Sequence, residues 1–326
     1  MRLKLVPSET TLDFFRLDKL SLSASALAMI ASIVFFLMIG LNYGIDFRGG
    51  TTIRTDAQNP VDIVAYRAAL APLGLGDISI TEVIDPADQL SGTKSKVSQI
   101  RIEAQEGAEA ATIATIKAVK SALVDVDPTM SFPQVDSVGP KVSGELIQTA
   151  VIAVILAISA VLFYIWLRFE WQFSVGAVAA LVHDVVLTIG IFSILQIKFD
   201  LAIIAALLTI VGYSLNDTVV VFDRVRENLR KYKKKPMNEV LNLSINETLS
   251  RTVMTSVTTL IALISLFVLG GDVIRGFVFA MIWGVIVGTY SSVFIASNIL
   301  LRLGVKRDWD KVDDGRAGTQ FANIDA

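Results

Sequence analysis

Six runs of apolar residues, at 20–41, 146–167, 173–195, 201–222, 252–269 and 277–301, set the frame of the chain. A helix rises ~1.5 Å per residue, so about 20 apolar residues cross a hydrocarbon layer ~30 Å thick. Each run predicts one membrane-spanning helix. The first is longer than the roughly 7–15 apolar residues of a signal peptide, and no small-residue cleavage pattern follows it, so it is read as uncleaved. Ahead of it, Leu12, Phe14, Phe15 and Leu17 alternate with Asp13, Arg16, Asp18 and Lys19. That amphipathic pattern predicts a short helix lying on the membrane surface.

Between the first two runs the pattern changes to that of a soluble domain, with turn clusters and alternating apolar positions. Ile53 among Thr and Arg reads as a strand, and residues 61–73 after Asn59-Pro60 read as a helix with proline accepted in its first turn. Residues 78–83 and 97–102 alternate as strands do, with a polar turn or loop over 85–96. A second helix over 109–124 and an extended piece over 132–138 complete the order βαββαβ, the split pattern of ferredoxin-like folds. Many unrelated functions share that fold, so it predicts architecture only. The expected organisation is an N-terminal segment (1–19), a first span (20–41), an α+β domain (42–140), five further spans (141–304) and an aperiodic tail (305–326).

Composition agrees with a polytopic α-helical membrane protein: 53% of 326 residues are hydrophobic, only 18% are charged, and the mean hydropathy is +0.61. The net charge of −2 matters less than where Lys and Arg fall. Arg168 follows the second span, Arg224, Arg226, Arg230, Lys231, Lys233, Lys234 and Lys235 crowd the loop after the fourth, and Arg302, Lys306 and Arg307 follow the last. The opposite loops, Ile197-Lys198-Phe199-Asp200 and Gly270-Gly271-Asp272, carry little positive charge. The positive-inside rule then puts both termini in the cytoplasm and the α+β domain outside, and it accounts for the basic run without a nucleic-acid partner. The domain's excess of Asp and Glu fits that side. The absence of Cys excludes disulfides and thiol chemistry, and a single His excludes a multi-His metal centre. No cofactor and no enzymatic reaction are expected.

The candidate chemistry lies in polar residues inside the spans. An ionised Asp at the centre of a membrane helix costs roughly 2.5–3.5 kcal/mol on insertion scales, so Asp217, beside Asn216 and Thr218, needs a cavity, a partner or a proton. A plain interhelical hydrogen-bond anchor is the alternative. In the fifth span Arg251, Thr255 and Thr258 or Thr259 recur on one helical face. The fourth and fifth helices run in opposite directions, so Asp217 and Arg251 fall at similar depth. A guanidinium would hold the acid ionised, and a rearrangement that parts them would invite a proton. Arg251 snorkelling to headgroups is the simpler alternative. His183-Asp184 sits near the middle of the third span, the two residues pointing about 100° apart, so one can face a relay and the other a neighbouring helix, and a packing role is the favoured reading of the lone His. Gly276, Gly284 and Gly288 form a small-residue seam for close helix packing.

Several blocks resemble one family. Gly44-Ile45-Asp46-Phe47-Arg48-Gly49-Gly50 after the first span is similar to the glycine-glycine signature of SecF proteins in the SecD/SecF family of protein-export subunits. Val138-Gly139-Pro140-Lys141-Val142-Ser143-Gly144-Glu145-Leu146, Leu181-Val182-His183-Asp184, the 212–228 stretch, Ile245-Asn246-Glu247-Thr248-Leu249-Ser250-Arg251-Thr252, Arg275-Gly276-Phe277 and Gly288-Thr289-Tyr290-Ser291-Ser292 resemble its later motifs, in order. The resemblance covers residues 44–292 and lacks only a fused SecD half. It implies a bacterial inner-membrane subunit of resistance-nodulation-division type that pairs with SecD, assists preprotein passage through the SecYEG channel and draws on the proton gradient, with room for a further small membrane subunit. It also implies that Asp217 and Arg251 carry the proton path opposite an acid from SecD. An exporter half for a small molecule or lipid, and a passive scaffold for SecD or SecYEG, are the other classes the residues allow.

Overall fold

The computed structural model of the protein describes residues 10–76, 78–83, 96–103 and 113–305. Six helices in it are long and apolar enough to cross a membrane. They are α1 (Asp18–Ile39), α5 (Pro140–Arg168), α6 (Trp171–Leu195), α7 (Leu201–Lys231), α8 (Met237–Leu269) and a last composite span. That span joins α9 (Asp272–Ser291), a π-helical segment (Ser292–Ala296) and α10 (Ser297–Leu303).

Burial divides the six. About half of the most apolar stretch of α6 (50%), α7 (44%) and the last span (61%) is buried within the chain, against 11% for α1, α5 and α8. The first three form the centre, and the others present apolar side chains outward. The glycine seam explains how the centre closes. A Cβ on Gly284 would meet the Ile210 side chain at 2.3 Å, and one on Gly288 would meet Ser214 at 3.1 Å. Glycine lets α9 lie directly on α7 at these positions.

Two expectations about the helix ends are corrected. The basic residues after the fourth span are mostly not in a loop. Arg224, Arg226, Arg230 and Lys231 ride on α7, whose 31 residues measure about 46 Å, and the turn to α8 is only residues 232–236. The helix continues because Val225 and Leu229 bury themselves against Val240, Leu241 and Ile245 of α8. At the N-terminus, residues 10–17 form no surface helix. The segment runs extended and then turns, pinned to α8 by two amides. Asn246 accepts from the Leu12 N–H (2.9 Å) and donates to its carbonyl (2.8 Å), while Asn242 accepts from the Phe14 N–H (2.9 Å). Phe14 meets Phe294 edge-on. Backbone groups satisfied by side chains need no helix.

Between α1 and α5 lies a four-stranded antiparallel sheet with two helices on one face. Strands β2 (Gly50–Asp56), β3 (Ile78–Val83), β4 (Val97–Glu103) and β5 (Ser131–Val138) pair in the order β3-β4-β2-β5. Helices α3 (Ile63–Leu70) and α4 (Ile113–Val126) cross over between them. The core sits between helices and sheet, where Ile53, Ile80, Ile100 and Ile102 meet Tyr66, Leu70, Val119 and Leu123. Pro60 stands outside α3, contrary to expectation. Asp62 is the N-cap, accepting from the N–H groups of Val64 and Ala65, both at 3.0 Å. The 85–95 part of the expected loop, the first turn expected at 109–112, and Lys306, Arg307 and the tail lie outside the described residues.

Candidate functional site

Two buried carboxylates occupy the centre of the bundle, and their surroundings differ. Asp184 on α6 is 1% exposed and is the hub of a network linking three helices. Its Oδ2 accepts from Ser214 Oγ of α7 (2.7 Å) and Ser291 Oγ of α9 (2.8 Å). Its Oδ1 lies 3.0 Å from His183 Nδ1. The two adjacent side chains, expected to point about 100° apart, thus meet at one site. Side-chain torsions bring both groups to one site although their Cα–Cβ bonds diverge. The seam supports this geometry, because Gly288 admits the Ser214 side chain that reaches Asp184.

Asp217 lies one turn further along α7 than Ser214. It is 3% exposed, and its Oδ2 has no hydrogen-bond partner among the described residues. Arg251 of α8 supplies the opposite charge that acts on it, yet no ion pair within 4.0 Å joins the two among the described residues. Arg251 and Asn216 face outward from the chain. Thr255 is half-buried and bonds back to the carbonyls of Arg251 (3.2 Å) and Thr252 (2.9 Å) on its own helix. The stripe Arg251, Thr255, Thr258 thus points toward whatever lies beside the chain. The inward face of α8 is instead Thr252, whose buried hydroxyl has no partner among the described residues, and Ser256, which pairs with Thr289 of α9 at 2.7 Å.

The glycine-glycine block holds α7 from its other end. After the two-residue strand β1 (Asn42–Tyr43), the short helix α2 (Ile45–Arg48) turns the chain into the sheet domain. Strand β1 runs parallel to β6 (Lys198–Phe199), and the Gly44 N–H donates to Phe199 O at 2.7 Å. Asp46 accepts from the Leu201 N–H (3.0 Å) while Asp200 accepts from Ala202 (3.1 Å), so two carboxylates cap α7. Burial pushes the Asp200 carboxyl up; Lys198 at 3.8 Å pulls it back and the charge on Asp46 adds to the rise. Gly49 at φ 76° and Gly50 at φ 126° occupy backbone conformations that side chains resist, which is why the block ends in glycines. Beyond it, the helix-free face of the sheet, including Thr52, Arg54, Thr81 and Gln99, overhangs the N-terminal ends of α7 and α9 across a cleft of about 670 Å³.

At the far end of α7, Asn228 donates to Ser244 Oγ (3.0 Å) and to Glu247 (2.7 Å), and Arg224 Nε lies 3.2 Å from the same carboxylate. Sequence reasoning did not single out Ser214, Ser291, Thr252 or this clamp, though all but Ser244 lie inside motifs it quoted.

Comparisons with known proteins bear on what this arrangement serves. The model of the C-terminal region of the protein-export membrane proteins SecD and SecF matches residues 118–306, and that of the SecD/SecF GG motif matches residues 34–61. The chain is 60% identical to the protein translocase subunit SecF of Cereibacter sphaeroides over 100% of this chain and 99% of that one. It is 57% identical to the SecF of Rhodobacter capsulatus over 96% of this chain and 95% of that one. It is also 41% identical to protein translocase subunit SecDF of Brucella abortus, covering 96% of this chain and 40% of that protein. The crystal structure of SecDF from Thermus thermophilus, a translocon-associated membrane protein, superposes with a TM-score of 0.79 at 32% identity, over 93% of this chain and 40% of that one. With six spans, a shared fold and near-complete alignment, this multi-pass membrane protein belongs to the SecD/SecF family.

Proposed function

We propose that the chain is the SecF-type subunit that pairs with SecD in the bacterial inner membrane and uses the proton motive force to assist preproteins leaving the SecYEG channel. In this reading both termini are cytoplasmic, and the ferredoxin-like sheet domain is periplasmic and meets the emerging polypeptide. The charge alternation of the loops supports the orientation. The fused SecDF relatives, which contain a region like this chain within a longer one, support pairing with SecD. So does the outward placement of Asn216 and Arg251, two polar groups that would otherwise face lipid.

One observation carries the reading. Asp217 is a buried carboxylate with a partnerless oxygen, held near a guanidinium but not locked to it. A packing anchor would have its hydrogen bonds filled, as Asp184 has. A proton arriving at Asp217 removes its charge and its attraction to Arg251, which frees α7 and α8 to repack against SecD. Moving one charge across ~100 mV yields about 2.3 kcal/mol, enough to shift a two-state helix arrangement severalfold. No cofactor and no covalent chemistry enter the cycle.

Asp217→Asn tests this, because it keeps shape and hydrogen bonding and removes the titratable proton. In inverted vesicles, with assembly on SecD verified, the gradient-dependent part of preprotein export should be lost. Undiminished gradient dependence would make Asp217 a packing residue and favour a passive scaffold.

A further inference from the structure

We propose that His183 is a second proton-binding site of this chain, taking its proton at Nε2 and coupled to Asp217 through the Asp184–Ser214 hydrogen bond. The inference starts from the Asp184 carboxylate, which accepts from two serine hydroxyls at Oδ2. In this proposal Asp184 is the anionic partner, which leaves Oδ1 as an acceptor too and makes Nδ1 of His183, 3.0 Å away, the ring nitrogen that carries hydrogen. Nε2 is then a basic lone pair. It is buried, and it has no hydrogen-bond partner among the described residues. A histidine kept only for packing would have both nitrogens satisfied.

The proton balance is simple. Without a proton at Nε2 the His183–Asp184 pair carries one negative charge; with it, the imidazolium faces the carboxylate and the pair is neutral. Asp184 is shared, so the change is felt across the bundle. In the loaded pair the carboxylate divides its attraction between the imidazolium and the two serines, weakening its hold on Ser214 of α7. Ser214 is three residues, about 4.5 Å of helix rise, before Asp217. Protonation at one site thereby biases the helix position that the other site needs, and such a coupling is reciprocal.

The surroundings hold few competing charges. On the packed helices at this depth the titratable groups are Asp217 and Tyr213 of α7 and Tyr290 of α9, whose ring lies 6.1 Å from that of His183. Tyr290 is tied by its hydroxyl to Ser25 of α1 at 2.9 Å. Elsewhere on these elements, among the described side chains, charges sit toward the helix ends: Asp18 and Lys19 on α1, Glu145 and Arg168 on α5, the run from Asp223 to Lys231 on α7, Arg275 on α9 and Arg302 on α10.

The use of this site in transport rests on the proton-driven reading above, but its chemistry does not, and the first measurement needs neither gradient nor preprotein. His183 is the only histidine in the sequence, so ¹⁵N-histidine labelling of the full chain in lipid bilayers gives one pair of ring-nitrogen signals. At alkaline pH, Nδ1 should show the signal of a protonated nitrogen and Nε2 that of a bare one. On acidification, Nε2 should move to the protonated position. In Asp217→Asn the midpoint of that movement should shift. An Nε2 that carries hydrogen at every pH, or a midpoint unmoved by Asp217→Asn, overturns the proposal. His183→Asn keeps a donor toward Asp184 and cannot titrate. It should assemble with SecD and lose severalfold of the gradient-dependent export, and full retention of that component would equally overturn the role of the site.

Discussion

At the level of single residues, Asp184 and Asp217 sit one helix apart with opposite degrees of satisfaction. Asp184 accepts from two serine hydroxyls, lies 3.0 Å from His183 Nδ1 and knits α6, α7 and α9 together, whereas Asp217 keeps an oxygen unpaired. Ser214→Ala and Ser291→Ala should each destabilise the bundle by about 0.6 to 1.7 kcal/mol, the range for hydrogen bonds between membrane helices, measured by unfolding in mixed micelles. The sheet domain offers a separate, pH-dependent prediction. The Thr129 hydroxyl, at 2.6 Å, and then its N–H hold the Asp127 carboxyl below its ordinary value, against the effect of burial. Since the folded value lies below the unfolded one, the stabilisation is present above about pH 4 and fades as pH falls through the folded value. Thr129→Val should therefore make the domain more open to pepsin near pH 4 and flatten its acid dependence in the full chain. Asp217, His183 and Asp184 were legible in the sequence because each is costly in an apolar run. Ser214 and Ser291 were not. A hydroxyl in a membrane helix commonly bonds back to its own turn, as Thr188, Thr218 and Thr258 do here, and no local pattern marks the ones that also reach sideways.

Among the elements, the closeness of α7 and α9 depends on particular glycines. Gly284→Ala would place a methyl within 2.3 to 2.9 Å of three Ile210 side-chain atoms, so it should cost about 1–3 kcal/mol and loosen the Ser291–Asp184 contact. Gly212→Ala on the outward face of α7 meets nothing within 4 Å in this chain. Equal losses in the two variants, measured by thermal unfolding of the isolated subunit, would count against the seam. The pinned N-terminal segment gives another test. Asn246→Ala removes both bonds to Leu12, and a cysteine placed at Leu12 should then react faster with a water-soluble thiol reagent. The spans and the succession of strands and helices along the chain could be read from periodicity because those signals are local. The pinned segment could not, since its partners lie more than 200 residues away, with separations of 228 to 236. The extensions of α7 and α8 were missed for a related reason: charged side chains mask an apolar stripe, Val225 and Leu229, that is buried only against the neighbouring helix.

For the molecule as a whole, the domain order and the alternation of loop charge were visible in the sequence, but not the way the sheet domain is fastened. Its fastening runs through Asp46, whose carboxylate caps the first turn of α7. Asp46→Ala should leave the sheet folded, because its core is elsewhere, and free it to tilt over the cleft. Spin labels at Thr81 and Val273, on opposite walls of that cleft, should then report a broader distance distribution. An unchanged distribution would show that the other links, β1 with β6 and Ile45 with Ser143 of α5, carry the connection without Asp46.

In the proposed proton-driven cycle this fastening would bear on the size of each stroke. The helix that Asp46 grips at one end is clamped by Asn228 and Glu247 at the other and carries Asp217 between them, about 24 Å from its first turn. A helix is stiff along its axis, so in that proposed cycle α7 would act as a push-rod with one-to-one gearing. The sheet domain would travel about as far as the acid does, without amplification. Export driven through such a rod would advance in many short strokes instead of one long pull.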